Sequence, residues 1–261
     1  MTPARPVRLF GDSAVVIDVA TVDEAHATAS SVAGLAADVD GLFESGIEDV
    51  VVGYRSVTVV VDPTVIDITL LADTLASRAP RRARSSSGRL VEIPVALDGR
   101  DLGDVARIAG VTPDRVISLL AGADLRVAFV GFAPGFAYLV GLDPGLASVP
   151  RRPTPRPVVP GGSIGLAGGF VGVYPQASPG GWHLGGRTDM RLFDPDAPPY
   201  SALQAGDRVR LCVVDMEGRA GPGPRPDGRA RLHSDAERVV VVEEGGLLSF
   251  VEDRGRLGAA R

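Results

Sequence analysis

Apolar positions along the chain follow two regimes. Through about residue 121 strand-like runs alternate with helical ones, and from Leu125 onward short apolar runs are divided by glycine and proline. In the first regime, LFGDSAVVIDV reads as a strand and the stretch from about Asp23 to Ala37 as a helix. Val51, Val52, Val57, Val59 and Val61 supply the β-branched signal for two short strands, punctuated by Gly53 to Ser56. Asp62 and Pro63 then look like an N-cap and first-turn proline for the helix in ITLLADTLASRA. RLVEIPVAL predicts a strand, and DLGDVARIAG and TPDRVISLLAG predict two helices, the second opened by Thr112 and Pro113. DRVRLCVVD alternates with period 2 and predicts a strand. Frequent short strands after Leu125 favour a barrel or sandwich over a parallel sheet.

Breaker-rich runs divide the chain. PRRARSSSG, from Pro80 to Gly88, suits an interdomain linker, and so does GRAGPGPRPDGRA from Gly218 to Ala230. The expected organisation is an α+β domain over 1–80, a linker over 81–88 and a β-rich domain over 89–217. A second linker over 218–230 and a tail over 231–261 follow.

Composition narrows the function. The 261 residues are 45% hydrophobic and 23% charged, an ordinary globular balance, and the net charge of −5 gives no electrostatic reason to expect nucleic acid or an anionic membrane. No apolar run approaches the roughly 20 residues of a membrane helix, and the N-terminus has no secretion pattern, so a cytoplasmic protein is expected. Cys212 is the only cysteine, which excludes an internal disulfide, and its apolar strand makes it a small buried hydrophobe. The chain holds no lysine. That removes a Walker-type phosphate lysine, a Schiff-base lysine and a biotin-carrying lysine from this chain.

The densest candidate chemistry runs from Phe129 to Asp194, where glycine and proline shape loops between the apolar runs. In PGGWHLGGRT, Arg187 can fork onto a carboxylate or phosphate, Thr188 can donate a hydrogen bond and His183 can move a proton near neutral pH. A tight barrel turn with Trp182 in the core is the structural alternative. Arg151, Arg152 and Arg156 form a basic cluster that can receive phosphate or acidic groups, or be a solvated loop. Phe129, Phe132, Phe136 and Tyr138 either line an apolar pocket or form plain core. Gly161, Ser163 and Gly165 satisfy G-x-S-x-G, but LAGGFVGVYP after them makes a poor helix, so a loop between strands is expected rather than a nucleophile elbow. His26, His183 and His233 are scattered, and no metal-ligand spacing occurs.

The runs GFAPGFAYLVGLDP and VPRRPTPRPVVPGGSIGLAGGFVGVYPQASPGGWHLGGRTDMRLFDP closely resemble the family variously called allophanate hydrolase subunit 1, the B component of 5-oxoprolinase and the sporulation-kinase inhibitor KipI. The similarity runs in order from LFGDSAVVIDV to AGDRVRL, about residues 8 to 214. The resemblance implies an α+β fold, a ferredoxin-like N-terminal domain followed by a cyclophilin-like β-barrel. It also implies one component, inactive alone, of an ATP-dependent enzyme that opens 5-oxoproline to glutamate. The ATP, with Mg, would be shared with a C-like barrel partner and an A-like TIM-type partner. Two other roles are known in such families: inhibition of a histidine kinase, and the carboxyltransferase half of a urea carboxylase, whose biotin must sit on another chain.

Matching positions carry the implied site. Pro134, Gly135, Phe136 and Tyr138 match the PGFxYL loop, and Gly162 and Ser163 the glycine loop. Ser178, Gly181, Trp182, Arg187 and Thr188 match SPGGWxxxGRT, with His183 inside it, and Arg152 heads the RxTPR loop that Arg156 ends. Arg187, Thr188 and His183 are thereby candidate catalytic residues, the remaining positions substrate contacts, and Arg152 with Arg156 a nucleotide or phosphate contact. Gly185, Leu120 and Leu125 depart from the family pattern, which favours a larger apolar residue, a histidine and a tyrosine there. The tail VVVVEEGGLLSFVEDRGRLG resembles the opening of the C-like partner, so the chain reads as the first half of a fusion, or else as carrying one extra C-terminal strand.

Overall fold

The computed structural model describes residues 6–38, 46–77, 88–196 and 198–214. The expected linkers, apart from Gly88, and the tail lie outside the described residues. The first unit runs β1 (Val7–Phe10), β2 (Ala14–Asp18), α1 (Val22–Asp38), β3 (Ile47–Val52), β4 (Ser56–Val61) and α2 (Ile68–Ser77). Its antiparallel sheet has the order β1-β2-β4-β3. LFGDSAVVIDV is thus a hairpin rather than one strand, because Gly11 takes a positive φ of 68° and turns the chain between β1 and β2. Val57, Val59 and Val61 point alternately from β4 into a core shared with Val15, Ile17, Leu71 and Leu75.

The second helix starts later than Asp62 and Pro63 predict. Asp62 instead closes a turn, its carboxylate accepting from the Thr64 amide and hydroxyl. Asp67 caps α2, Oδ1 accepting from the amides of Thr69 and Leu70 at 2.9 and 3.2 Å. Asp67→Ala is expected to cost about 1 kcal/mol in a urea unfolding titration, whereas an Asp62→Ala loss of equal or greater size would return the cap to Asp62.

The second unit runs β5 (Leu90–Val95), α3 (Leu102–Ala109), α4 (Pro113–Ala121), β6 (Leu125–Val130), β7 (Ala137–Val140), α5 (Pro144–Ala147), β8 (Arg156–Val159), β9 (Ser163–Ala167), β10 (Phe170–Val173), β11 (Ser178–Gly180), β12 (His183–Arg187) and β13 (Arg208–Val213). Thr112 caps α4, accepting from the Arg115 amide, and Pro113 sits in its first turn as expected. The seven-stranded sheet has the order β12-β9-β10-β7-β6-β13-β5, and β8 pairs with β11 beside it. β13 and β5 run parallel, while the other pairings of this sheet are antiparallel.

The two edge strands of that sheet nearly meet, giving a barrel-like wall. Ala96, just after β5, exchanges both backbone hydrogen bonds with Arg187 at the end of β12, at 2.9 and 2.8 Å. The chain then runs along β12, the Gly99 amide donating to Gly185 and the Asp101 amide to Leu184. Ile93, Val95, Val127, Leu139, Ile164, Leu166, Val171 and Leu211 fill the inside, with Val105, Val116 and Leu120 of α3 and α4 packed against them. Cys212 is half-buried, not fully buried, because it is the position in β13 where the strict alternation ends.

Candidate functional site

Sequence reasoning did not single out Asp101, yet it is the hub of the polar structure at one end of the barrel. Its carboxylate, 4% exposed, accepts from Arg156 Nη2 at 2.7 Å through Oδ1 and from the Leu184 amide at 2.7 Å through Oδ2. Arg152 Nη1 lies 3.5 Å from Oδ1. Burial alone would push this carboxyl up, but the Arg156 hydrogen bond, the Leu184 amide and both guanidinium charges together hold it below the ordinary carboxylate range. Arg156, only 14% exposed, also reaches the Trp182 carbonyl. Arg152 and Arg156 are therefore buried to different degrees around one acid rather than displayed as a solvated basic loop.

The β11–β12 turn ties this hub to His183. The Arg152 amide donates to the Gly181 carbonyl at 2.8 Å, two residues before His183, while Asp101 grips Leu184, the residue after it. His183 is 5% exposed. Burial lowers its imidazole below the usual range, with Arg152 adding to this, against Asp101, Asp104 and a hydrogen bond to the Pro150 backbone. Three buried polar atoms in the candidate loops lack a hydrogen-bond partner: His183 Nδ1, Arg152 Nε and Ser178 Oγ. An unsatisfied buried polar group costs about 1–3 kcal/mol, so in a native fold such atoms are met by ordered water, a ligand or a functional role.

An aromatic cluster supports the same turn from the other face of the sheet. Phe136 packs edge-on against Trp182, Tyr174 and Tyr138 with ring centroids 5.6, 5.4 and 5.0 Å apart. Phe136 and Trp182 are buried core, while Tyr138 is half-buried and stacks on Phe129 at 4.3 Å. Pro134 and Gly135 form the turn beneath them. Gly135 has φ 79°, and a Cβ there would lie 2.7 Å from that of Phe193, so no other residue suits the position. Phe132, at the tip of this loop, is 64% exposed.

Arg187, Thr188, Gly162 and Ser163 lie elsewhere. His183 pairs with Leu166, whereas Arg187 pairs with Ser163 at the far end of β12, about 13 Å along the strand. Leu166 faces the barrel core, while Leu184, paired with Gly165, faces the aromatic cluster, and alternation puts Ser163 and Arg187 on that second face. Arg187 Nε donates to Asp98 at 3.0 Å near the surface. The buried Thr188 hydroxyl donates to the Pro94 carbonyl at 2.6 Å and accepts from the Met190 amide, and the Thr188 amide donates to Gly162. Ser163 opens a strand rather than a strand-to-helix elbow, as its following residues predict. One small ligand cannot touch both His183 and Arg187.

Two of the departures from the family pattern meet in space. A Cβ on Gly185 would come 3.3 Å from Leu120 Cδ1 and from Leu166 Cδ2, so Leu120 covers the position that a larger residue 185 would occupy. Among the described residues no group of His, Cys, Asp or Glu can hold a metal ion.

The family model for the carboxyltransferase domain, subdomain C and D, matches residues 5–203. The B component of 5-oxoprolinase from Haemophilus influenzae is 41% identical over 178 residues, 67% of this chain and 83% of that protein. Its counterpart from Bacillus subtilis is 45% identical over 129 residues, 48% of this chain and 53% of that protein. Among solved structures, the protein TTHA0988 superposes with a TM-score of 0.66 at 32% identity over 84% of this chain. The match spans 42% of that larger chain.

Proposed function

Because the chain belongs to the family of the carboxyltransferase domain, subdomain C and D, we propose that it is the B component of a 5-oxoprolinase, one part of a heteromeric hydrolase acting on a cyclic amide. The observation that carries this reading is the 41% identity across 83% of the Haemophilus influenzae protein. The geometry supports it. The Asp101 end gathers two guanidinium groups around one buried carboxylate beside a buried imidazole, while the Arg187 end, at the surface, suits a contact with a partner protein.

The same reading makes the β-barrel cyclophilin-like and the first unit ferredoxin-like. The order β2-β4-β3 supports the latter, its fourth strand replaced at the sheet edge by β1 from upstream. ATP with Mg belongs to the assembled enzyme. The two arginines read as phosphate contacts, Arg152 and Arg156, are already shared with Asp101, and no metal-holding cluster occurs among the described residues, so this pair does not by itself fit a Mg-bound triphosphate. Its seat is shared with the C-like barrel and A-like partners. A cytoplasmic location belongs to the same reading, and none of the described helices is long and apolar enough to cross a membrane.

The test mixes the purified chain with its partner proteins, 5-oxoproline and ATP-Mg. Glutamate should form only with the full set, and none from the full set would overturn the assignment. Arg187→Ala should lower that turnover at least tenfold with little change in thermal stability, since its side chain pairs with a half-exposed Asp98 and such pairs contribute about 0–1 kcal/mol. Unchanged turnover would remove Arg187 from the mechanism. The description of the family favours one second reading, transfer of a carboxyl group borne by biotin on another chain. Carboxyl transfer to urea by the same mixture, supplied with a carboxylated biotin carrier, would select it.

A further inference from the structure

One extra residue in β6 turns a phenylalanine towards the first unit. Val127 pairs with Leu139 and Phe129 with Tyr138, which leaves Ala128 as the additional residue of a β-bulge. Val127 and Leu139 face the barrel core. Plain alternation would send Phe129 inward with Val127, but the bulge puts it on the outer face beside Tyr138, where the two rings stack at 4.3 Å. Tyr54, in the β3–β4 turn of the first unit, covers this face, its ring 5.1 Å from that of Phe170 and 6.0 Å from that of Phe129. A second contact between the units lies at the other end of β6, where Arg126 pairs with Asp23 of α1, and Ala128 between the two contacts is fully buried.

The covered rings lead to the strand of the candidate site. Tyr138 lies edge-on to Phe170 and to Trp182, at 5.5 and 5.6 Å. Trp182 and Leu184, the residues on either side of His183, are both buried in this cluster. His183 points to the opposite face, beside Leu166, so its place is set by the two neighbours that anchor the strand from behind. Close-packed rings have few low-energy relative orientations, and a shift of one displaces the next. We propose that Tyr54 is a positioning residue: by shielding the Phe129 and Phe170 rings from water it fixes Tyr138 and Trp182, and through them the segment 182–184 that presents His183. The first unit is on this account a working part of the candidate site. The inference goes beyond the 5-oxoprolinase reading and rests on it only for the turnover arm of its test.

Tyr54→Ala and Tyr54→Phe in the full chain test this. Trp182 is the only tryptophan, so its quenching by acrylamide in the native state reads the far end of the cluster. Proton spectra of the three histidines, assigned with His183→Gln and His26→Gln, read the strand and the docking of the first unit separately. His26 serves the second purpose because its Nδ1 lies over the barrel, 3.6 Å from where a Cβ on Gly206 would stand. Tyr54→Ala should raise Trp182 quenching about twofold and shift the His183 resonance, while Tyr54→Phe, which keeps the ring contacts, should match wild type. Tyr54→Leu, which keeps bulk without a ring, gives the same readout should the alanine variant lose its far-UV dichroism. A response of His26 alone, of Trp182 without His183, or of Tyr54→Phe as large as that of Tyr54→Ala overturns the proposal, as does no response. With the partner proteins present, Tyr54→Ala should lower glutamate formation. The two readings fail separately. Glutamate formation by the wild-type set, with Trp182 and His183 indifferent to Tyr54→Ala, keeps the 5-oxoprolinase assignment and rejects the positioning role. A Trp182 and His183 response without glutamate from the wild-type set does the reverse.

Discussion

Asp101→Ala is expected to lower the unfolding midpoint by roughly 10 °C at neutral pH. The substitution leaves Arg156, only 14% exposed, without its carboxylate, and removes the acceptor of the Leu184 amide. Removing one member of a buried pair costs about 3–5 kcal/mol, and a chain of this size loses about 2–4 °C per kcal/mol. The pH dependence separates this cause from general damage. The Asp101 carboxyl is held below its ordinary range in the fold, so its contribution is fully present above the unfolded value, about 3.9, and is lost as pH falls through the folded value. Wild type and variant should therefore differ most near neutrality and converge in acid. Parallel melting curves from neutral to acid pH, or a change smaller than about 2 °C, would show that Asp101 is not the hub. Asp101→Asn keeps an acceptor for Leu184 but not the charge, and should fall between the two.

The sequence hid Asp101 for a physical reason. An aspartate in front of an amphipathic run such as LGDVARIA looks like a helix cap, and Asp101 does stand at that position before α3. Its carboxylate makes no cap bond, however, and turns to partners 55 and 83 residues away. The available signal was indirect: a cluster such as Arg152 and Arg156 within an apolar, proline-rich loop needs a buried counter-charge if it is not solvated. Local chemistry was legible. Period 2 marked β13, Thr112 and Pro113 marked the start of α4, and alternating valines marked β4. What escaped was settled by competition between neighbours. Asp67 displaced Asp62 as the cap of α2, and a positive-φ glycine split the first strand. The SPGGWHLGGRT motif reads in the sequence as one candidate site, and its division was not legible, because one strand with a bulge carries its His183 and its Arg187 to opposite ends and faces.

Gly186→Ala should be the most damaging change in that motif, and Gly185→Ala nearly silent. At 186 the added methyl would meet the Ala96 carbonyl oxygen inside van der Waals contact, with Leu97 Cα 3.1 Å away. That carbonyl accepts from the Arg187 amide at 2.8 Å, one of the two bonds that Ala96 exchanges with Arg187. Backbone cannot step aside there without parting the seam, so strain and the lost pair together cost about 3–5 kcal/mol. At 185 the methyl meets only the ends of Leu120 and Leu166 at 3.3 Å, which can rotate, and the smaller unfolded-state entropy of alanine offsets the crowding. A net effect within about 1 kcal/mol follows. Urea titrations followed by the fluorescence of Trp182, the only tryptophan and buried one residue before β12, read both variants with the same probe. Equal losses, or a larger loss at 185, would refute the seam as the weak line of the barrel. If the seam is that line, Gly186→Ala must also loosen the Asp101 end, because the strand that closes the barrel is the strand that carries His183 and the Leu184 amide gripped by Asp101.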